Sequence, residues 1–404
     1  MSHAQPPLRD GHELRLLEGS VELFPALVAD IDGAQRYVRL ETYIFDLTGS
    51  GADVAQALLD AARRGVRVQV VVDGFGTDGL PHPWPERFMD AGVQWAVYSP
   101  PGTLGLLIPG RWRRLHRKLC VVDGDVLYCG GINVLDDFHD PNHGALAAAR
   151  FDFAVRVRGP MVAEADDTMA VLWQRMQAAQ QLRSRQLAGA LESLRGARGA
   201  VPPASSADPG RALSRAALVL RDNVRHRARI ERAYRRAIGM ARREVIIANA
   251  YFVPGRKMRK ALIRAAQRGV RVQLLLQGRY EYFMQYYSSR PVYGALLQAG
   301  VEIHEYSPSF LHAKVAVVDG HWATVGSSNL DPLSLLLARE ANVIVDDAAF
   351  AVQLRDRLVR AMAEGGARMD PAAFANRSWR ERMRERLALG LMRLALLVHG
   401  KEYL

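Results

Sequence analysis

Cysteine is nearly absent from the 404 residues: Cys120 and Cys129 are the only two, each inside an apolar, strand-like run. That excludes a disulfide-stapled fold and a cysteine-rich metal centre, and it fits buried thiols in a reducing compartment. Long apolar runs are also missing. Although 49% of the residues are hydrophobic, Arg, Asp or Gly breaks every stretch short of the roughly 18 to 20 residues that cross a bilayer. The opening residues, with Pro6, Pro7, Arg9 and Asp10, lack the apolar centre of a secretory signal, so synthesis is expected to end in the cytosol. The same apolar content excludes disorder as the dominant state and suffices for one large or two medium domains. Lysine is scarce in a more telling way. Of 54 basic residues only Lys118, Lys257, Lys260, Lys314 and Lys401 are not arginine. The net charge of +12 suits a solvated basic surface, nucleic acid or an anionic membrane, and its sign alone does not choose.

What the chain has in place of these is a repeat of itself. Ala61-Ala62-Arg63-Arg64-Gly65-Val66-Arg67-Val68-Gln69 returns as Ala265-Ala266-Gln267-Arg268-Gly269-Val270-Arg271-Val272-Gln273. The order holds downstream: Ala91-Gly92-Val93 recurs at Ala299, Tyr98-Ser99-Pro100 at Tyr306, and Val121-Val122-Asp123-Gly124 at Val317. Each copy reads as a strand (37–45; 244–252), a helix ending at Gly65 or Gly269, and an apolar strand (66–72; 270–276), a βαβ opening with a parallel sheet. Two short strands around each Asp-Gly turn then form a hairpin. The expected fold class is α/β, two similar α/β/α sandwich halves packed about a pseudo-two-fold axis. The halves span 1–176 and 213–376, with a Pro/Gly/Ser-rich linker at 177–212 and a basic then apolar tail at 377–404.

Two of the five lysines fall at matching places in the repeat, His116-Arg117-Lys118 and His312-Ala313-Lys314, each followed by an aspartate, Asp123 or Asp319, in an H-x-K-x4-D pattern. Residues i and i+2 of a strand share a face, so each His and Lys project together. Asn133 and Asn329 follow at one common offset from each His. If the halves pack about a two-fold axis, two His, two Lys and two Asn converge, a set suited to a phosphate.

At these residues the sequence resembles the phospholipase D superfamily, and within it the bacterial cardiolipin synthases without transmembrane segments. Also similar are Gly326-Ser327-Ser328-Asn329-Leu330-Asp331-Pro332-Leu333-Ser334 and Glu340-Ala341-Asn342-Val343. The resemblance covers roughly residues 14–360 and implies one active site shared by the two halves. It implies catalytic roles for His116, Lys118, Asp123, His312, Lys314 and Asp319, with His116 the favoured nucleophile and His312 the acid and base. A phosphohistidine divides one hard displacement at an anionic phosphodiester into two easier ones, and a His pair can hold opposite protonation states near neutral pH. Asn133 and Asn329 would bind the phosphate. No cofactor and no metal are needed. A carboxylate must fix the imidazole tautomer, and aligning the copies names Asp152 and Glu340, each able to serve its own half or the opposite one. Asp123 and Asp319 also read as structural turn residues. His82, His139, His143, His304 and His321 have no partner in the repeat and read as surface or packing residues.

The superfamily includes nucleases, so the substrate is argued separately. The loop from Pro100 to Arg114 carries Leu106, Leu107, Ile108 and Trp112 edged with arginines, a composition suited to dipping into a membrane interface and also to packing on its own domain. Arg279-Tyr280-Glu281-Tyr282-Phe283-Met284-Gln285-Tyr286-Tyr287 has an aromatic surplus that could equally stack bases. Arg380, Arg382, Arg384 and Arg386 precede an apolar stretch too short to span, suited to an in-plane amphipathic helix or to docking on the second half. The expectation is phosphatidyl transfer between phosphatidylglycerols at the cytoplasmic face of the bacterial inner membrane. The partners would be anionic phospholipids and the membrane surface, with no nucleic acid. A hydrolytic phospholipase D and a metal-independent nuclease are the rivals.

Overall fold

The structure is a computed structural model that describes residues 6–77, 79–100, 102, 112–183, 213–222, 226–279, 283–331 and 338–397. In the first half, β1 (Arg9–Glu18), α1 (Gly19–Asp32), β2 (Tyr37–Thr42), α2 (Gly51–Arg63), β3 (Arg67–Asp73), α3 (Trp84–Ala91) and β4 (Gln94–Tyr98) precede the short β5 (Arg114–Leu115). Then come β6 (Lys118–Val122), β7 (Val126–Gly130), the small hairpin β8 (His139–Asp140) and β9 (Gly144–Ala145), β10 (Phe153–Arg158) and α4 (Met161–Arg183). The second half runs β11 (Ser214–Arg221), α5 (Arg229–Met240), β12 (Glu244–Asn249), α6 (Arg256–Gln267), β13 (Arg271–Gln277), α7 (Phe283–Gln298), β14 (Glu302–Tyr306), β15 (Lys314–Val318), β16 (Trp322–Gly326), β17 (Ala338–Asp346), α8 (Ala348–Gly365), β18 (Gly366–Arg368), α9 (Pro371–Ala375) and α10 (Trp379–Leu397).

Apart from the separate β8–β9 pair and β5, which joins at β17, the strands follow one sheet whose order, β18-β14-β13-β12-β15-β16-β17-β11-β1-β10-β7-β6-β2-β3-β4, mirrors itself about the β11–β1 contact. Strands β2, β3 and β4 are parallel, as are β12, β13 and β14. The hairpins β6–β7 and β15–β16 are antiparallel. Repeat and fold therefore agree on an α/β architecture of two related halves. The strand expected over 37–45 stops at Thr42 and re-pairs at Phe45, which bridges to Val134.

Three apolar cores follow from this layering. Alternating Val68, Val70 and Val72 of β3 meet α1 and α2 on the outer side of the first half, and Val272, Leu274 and Leu276 of β13 meet α5, α6 and α7 on the outer side of the second. Shared by the two half-sheets, Leu119, Val121, Val155 and Val157 join Val315, Val317, Val343 and Val345 under α4 and α8. Each fully buried side chain of this size contributes about 1.5 to 3 kcal/mol, so the middle core locks the halves together. Every residue of β6 and of β15 is buried, which explains why both strands read as unbroken apolar runs after their lysines.

The helix Met161–Arg183 runs on past residue 176, into the stretch expected to be linker. The remaining linker residues, 184–212, lie outside the described residues. Leu106, Leu107 and Ile108 do as well; Trp112 is half-buried, and its carbonyl accepts a hydrogen bond from Arg114 Nε at 3.3 Å. The tail helix α10 packs against α7. No helix among the described residues is long and apolar enough to cross a membrane.

Candidate active site

The Asp-Gly turns fix the far ends of β6 and β15. Asp123 and Asp319 adopt φ of 52°, with Gly124 at 69° and Gly320 at 70°, the paired left-handed values a tight hairpin turn requires. Asp123 accepts from the backbone amides of Gln35, Arg36 and Tyr37, each at 2.8 Å. Asp319 accepts from those of Arg242, Arg243 and Glu244 at 2.8 to 3.0 Å. These bonds hold Asp319 below the usual carboxylate range, although burial works against it. The structure does not bring either aspartate to the histidines. Both tie the hairpin to the start of the neighbouring strand.

At the near ends of the same strands the halves interlock. β5 pairs in parallel with β17, Leu115 opposite Arg339, and the His116 amide donates to the Arg339 carbonyl at 3.0 Å. In the mirror position Phe151 bridges to Leu311, and the His312 amide donates to the Phe151 carbonyl at 2.9 Å. This exchange carries each histidine to the other half's carboxylate. His116 Nδ1 donates to Glu340 Oε1 and Oε2 at 3.0 and 3.1 Å; His312 Nδ1 donates to Asp152 Oδ2 at 2.7 Å. With Nδ1–H committed, Nε2 of each ring is left as the reactive nitrogen.

Lys118 Nζ donates to the His116 carbonyl at 2.7 Å, and Lys314 Nζ makes the same bond to the His312 carbonyl. Lys314 Nζ also lies 3.8 Å from Asp152 Oδ2. Asn133 Oδ1 accepts from the Ile44 amide at 3.1 Å, and both Asn133 and Asn329 are buried beside the loops that follow β7 and β16.

Burial dominates the charges here. It pushes Lys118 down to about 7, aided by Lys314. It lowers His116, with Lys118 and Lys314 adding to the effect and Glu340 opposing it. It lowers His312 well below the ordinary value, reinforced by Lys314, Lys118, Arg150 and His116. The two carboxylates diverge. Burial raises Asp152 to about 7 against the pull of Lys314, the Phe153 amide and Lys118. At Glu340 burial also opposes ionisation, but His116, Lys118 and Ser327 outweigh it and hold the carboxyl below its usual range. A small, desolvated set of cations and imidazoles with pKa values perturbed in both directions marks this cluster as a candidate reaction site, of a charge that suits an anion.

Sequence reasoning missed three contributors. Tyr43 sets its ring 5.0 Å from the His116 imidazole and 5.5 Å from Lys118 Nζ; the signal was an aromatic just past β2 where the second copy has Ala250. Ser327 Oγ donates to Glu340 Oε2 at 2.5 Å. The matching Gly131 has no room for a side chain, since a Cβ there would lie 2.3 Å from Asp152 Oδ1. Arg150 places its charge near His312 while donating to Asp140 Oδ2 at 2.8 Å. Among the described residues no cluster of His, Cys, Asp or Glu could hold a metal ion. His143 packs its ring 5.0 Å from Phe310, two residues before His312.

The two mirrored half-sheets place the chain in the phospholipase D class of folds. The description "Cardiolipin synthase, PLD-like domain" matches residues 27–149 and 234–362, one stretch in each half. Escherichia coli K12 cardiolipin synthase B is 38% identical over 95% of this chain and 89% of its own length. Erwinia tasmaniensis cardiolipin synthase A is 28% identical over 93% of this chain and 74% of its own. The crystal structure of Haemophilus influenzae phosphatidylserine synthase superposes with a TM-score of 0.71 at 11% identity, covering 100% of this chain and 98% of that one. The chain belongs to the cardiolipin synthase family of phospholipase D-like proteins, and membership makes it a phosphatidyltransferase.

Proposed function

We infer that this protein makes cardiolipin by moving a phosphatidyl group from one phosphatidylglycerol to another through a phosphohistidine, with glycerol released. The observation that carries the reading is the crossed pair of histidines, each with Nδ1–H held by a carboxylate of the other half. In the first step His116 Nε2 attacks phosphorus; the phosphorus–oxygen bond to glycerol breaks, and His312 gives that oxygen its proton. In the second step His312 takes the proton of the incoming phosphatidylglycerol hydroxyl, whose oxygen displaces His116 from phosphorus. Atoms and charge balance, and one phosphodiester replaces another of similar energy.

The divergent carboxylates favour this assignment. An ionised Glu340 offsets the positive charge that builds on His116 as it becomes phosphorylated, whereas Asp152, raised to about 7, is the group that holds His312 Nδ1–H while that ring exchanges its proton. The seated phosphodiester would neutralise Lys118 and Lys314 and lift the lowered pKa values of the histidines, preparing His312 to act as the acid. The Asn133 and Asn329 amides would complete the cradle. The mechanism asks nothing of Asp123 and Asp319 beyond holding the hairpins. We place the enzyme peripherally at the cytoplasmic face of the bacterial inner membrane, where its lipid substrates lie.

The test is incubation of purified protein with radiolabelled phosphatidylglycerol vesicles. Cardiolipin plus glycerol is expected. Phosphatidic acid as the main product would mean hydrolysis, and no lipid product beside cleaved DNA would mean a nuclease. His116→Ala and His312→Ala should each slow turnover by at least about 10⁴-fold; acid-labile label is expected on the parent and absent from His116→Ala, and label that persists in His116→Ala would reverse the assignment.

A further inference from the structure

The tail helix α10 is only half used by the fold. Its Glu385 and Ala388 are buried, with 3% and 0% of their surface exposed; Glu385 pairs with Arg377 at 3.1 Å, and Leu389 packs on the second half's outer core. At about 100° per residue, these three residues occupy one side of the helix, centred roughly 230° round from Trp379. Trp379, Met383, Leu387 and Leu391 fall four apart within a sector of about 120°, centred opposite that side, and they are 63%, 53%, 58% and 44% exposed. Arg384 borders this stripe on one edge and Arg382 and Arg386 on the other, with Arg380 at its first turn, all exposed. A surface helix with one apolar face buried in the fold has no need of a second one facing water.

We propose that the Trp379–Met383–Leu387–Leu391 stripe is the face by which the folded protein seats on a bilayer containing anionic phospholipid. The chemistry is complementary on both counts. Trp, Met and Leu enter the boundary between headgroups and acyl chains, while arginines on either edge reach phosphates at headgroup level. The chain's net charge of +12 draws it to the same surface. Placement fits as well. Helix α10 packs on α7, whose Tyr286, Ser289 and Arg290 line a cleft with Gln277, and Gln277 Oε1 accepts from the Leu311 amide beside His312 at 3.3 Å. The helix that carries the seat is thus linked through α7 and Gln277 to the residue before His312. This deepens the reading of a lipid transferase, because it says which face meets the lipid.

The test uses the full chain with vesicles of phosphatidylcholine alone or mixed with phosphatidylglycerol. The parent should sediment with the mixed vesicles. A variant carrying Trp379→Ser, Met383→Gln, Leu387→Gln and Leu391→Gln should bind them at least about tenfold more weakly. It should still turn over a short-chain, monomeric phosphatidylglycerol at the parent rate. Charge removal alone, in Arg380→Gln with Arg384→Gln and Arg386→Gln, should weaken binding to mixed vesicles in low salt and leave that monomer rate unchanged. Unaltered vesicle binding by the stripe variant overturns the proposal. So does a parent that is dimeric where the stripe variant is monomeric, since the face would then cover a second copy. Vesicle binding is read without turnover, so failure of the catalytic reading and failure of this surface are separate results.

Discussion

A single hydroxyl separates the two halves at the place that matters most. Ser327 Oγ donates to Glu340, while at the mirror position Gly131 leaves Asp152 without such a donor because a side chain there would collide with the carboxylate. A hydrogen bond to the charged form favours ionisation, so this side chain adds to the inequality of the two imidazoles. Ser327→Ala should raise the Glu340 pKa from its lowered position. The acid limb of the pH–rate profile should then move upward by about one unit, with activity near its parent value on the alkaline side. An unmoved limb with a uniformly lower rate would mean that Ser327 only packs. Residue identity at this scale was largely legible: the repeat alone named both histidines, both lysines, both asparagines and the Asp152–Glu340 alignment. What it left open was which carboxylate serves which ring. His116 and Glu340 are 224 positions apart, and His312 and Asp152 are 160 apart. The deciding contact is a two-residue strand, Arg114–Leu115 on Ala338–Arg339, too short to carry a pattern.

Among the strands, β2 and β6 hold a feature that β12 and β15 lack. Arg117, between the histidine and the lysine, donates from Nη2 to Glu41 Oε1 at 2.8 Å and from Nε to Oε2. Both side chains are buried, with 3% and 1% exposed. The second half has Ala313 and Ala248 at these places, each fully buried, so the strand pairing itself does not need an ion pair. Breaking a buried pair strands a charge at a cost of about 3 to 5 kcal/mol, whereas replacing both partners by apolar residues of similar volume is often neutral or favourable. Glu41→Ala should therefore lower the urea midpoint of unfolding sharply, and Glu41→Leu with Arg117→Met should return it to the parent value or above. A double variant no better than the single would show that the pair is tied to something beyond its own charges. Periodicity announced these strands and put residue 117 on the face away from His116 and Lys118. It did not announce Glu41, whose neighbours on β2 read as ordinary strand text.

For the whole molecule the decisive join is β1 against β11, where the two half-sheets become one and His12 lies opposite Ser214. The repeat foretold two halves but not this seam, because β1 and β11 share no quoted motif and pair at few positions. His12 is completely buried there. Burial, with the charge of Arg9 beside it, lowers its pKa from the ordinary 6.5 to about 4, against smaller opposing effects from the Arg158 backbone and Asp10. Between those values the unfolded chain holds a proton on this ring that the folded chain refuses. Stability from this group is therefore complete above pH 6.5 and drains away as the pH falls toward 4, by about 3 kcal/mol in all at 1.36 kcal/mol per unit. His12→Gln removes the titration without adding a charge. Carboxylates elsewhere titrate in both proteins, so the informative quantity is the difference between their unfolding free energies across that range. The variant should lose less stability than the parent as the solution is acidified, and the gap between the two should change by about 2 to 3 kcal/mol. A gap that stays constant from pH 6.5 to 4 would show that the seam tolerates a charged imidazole.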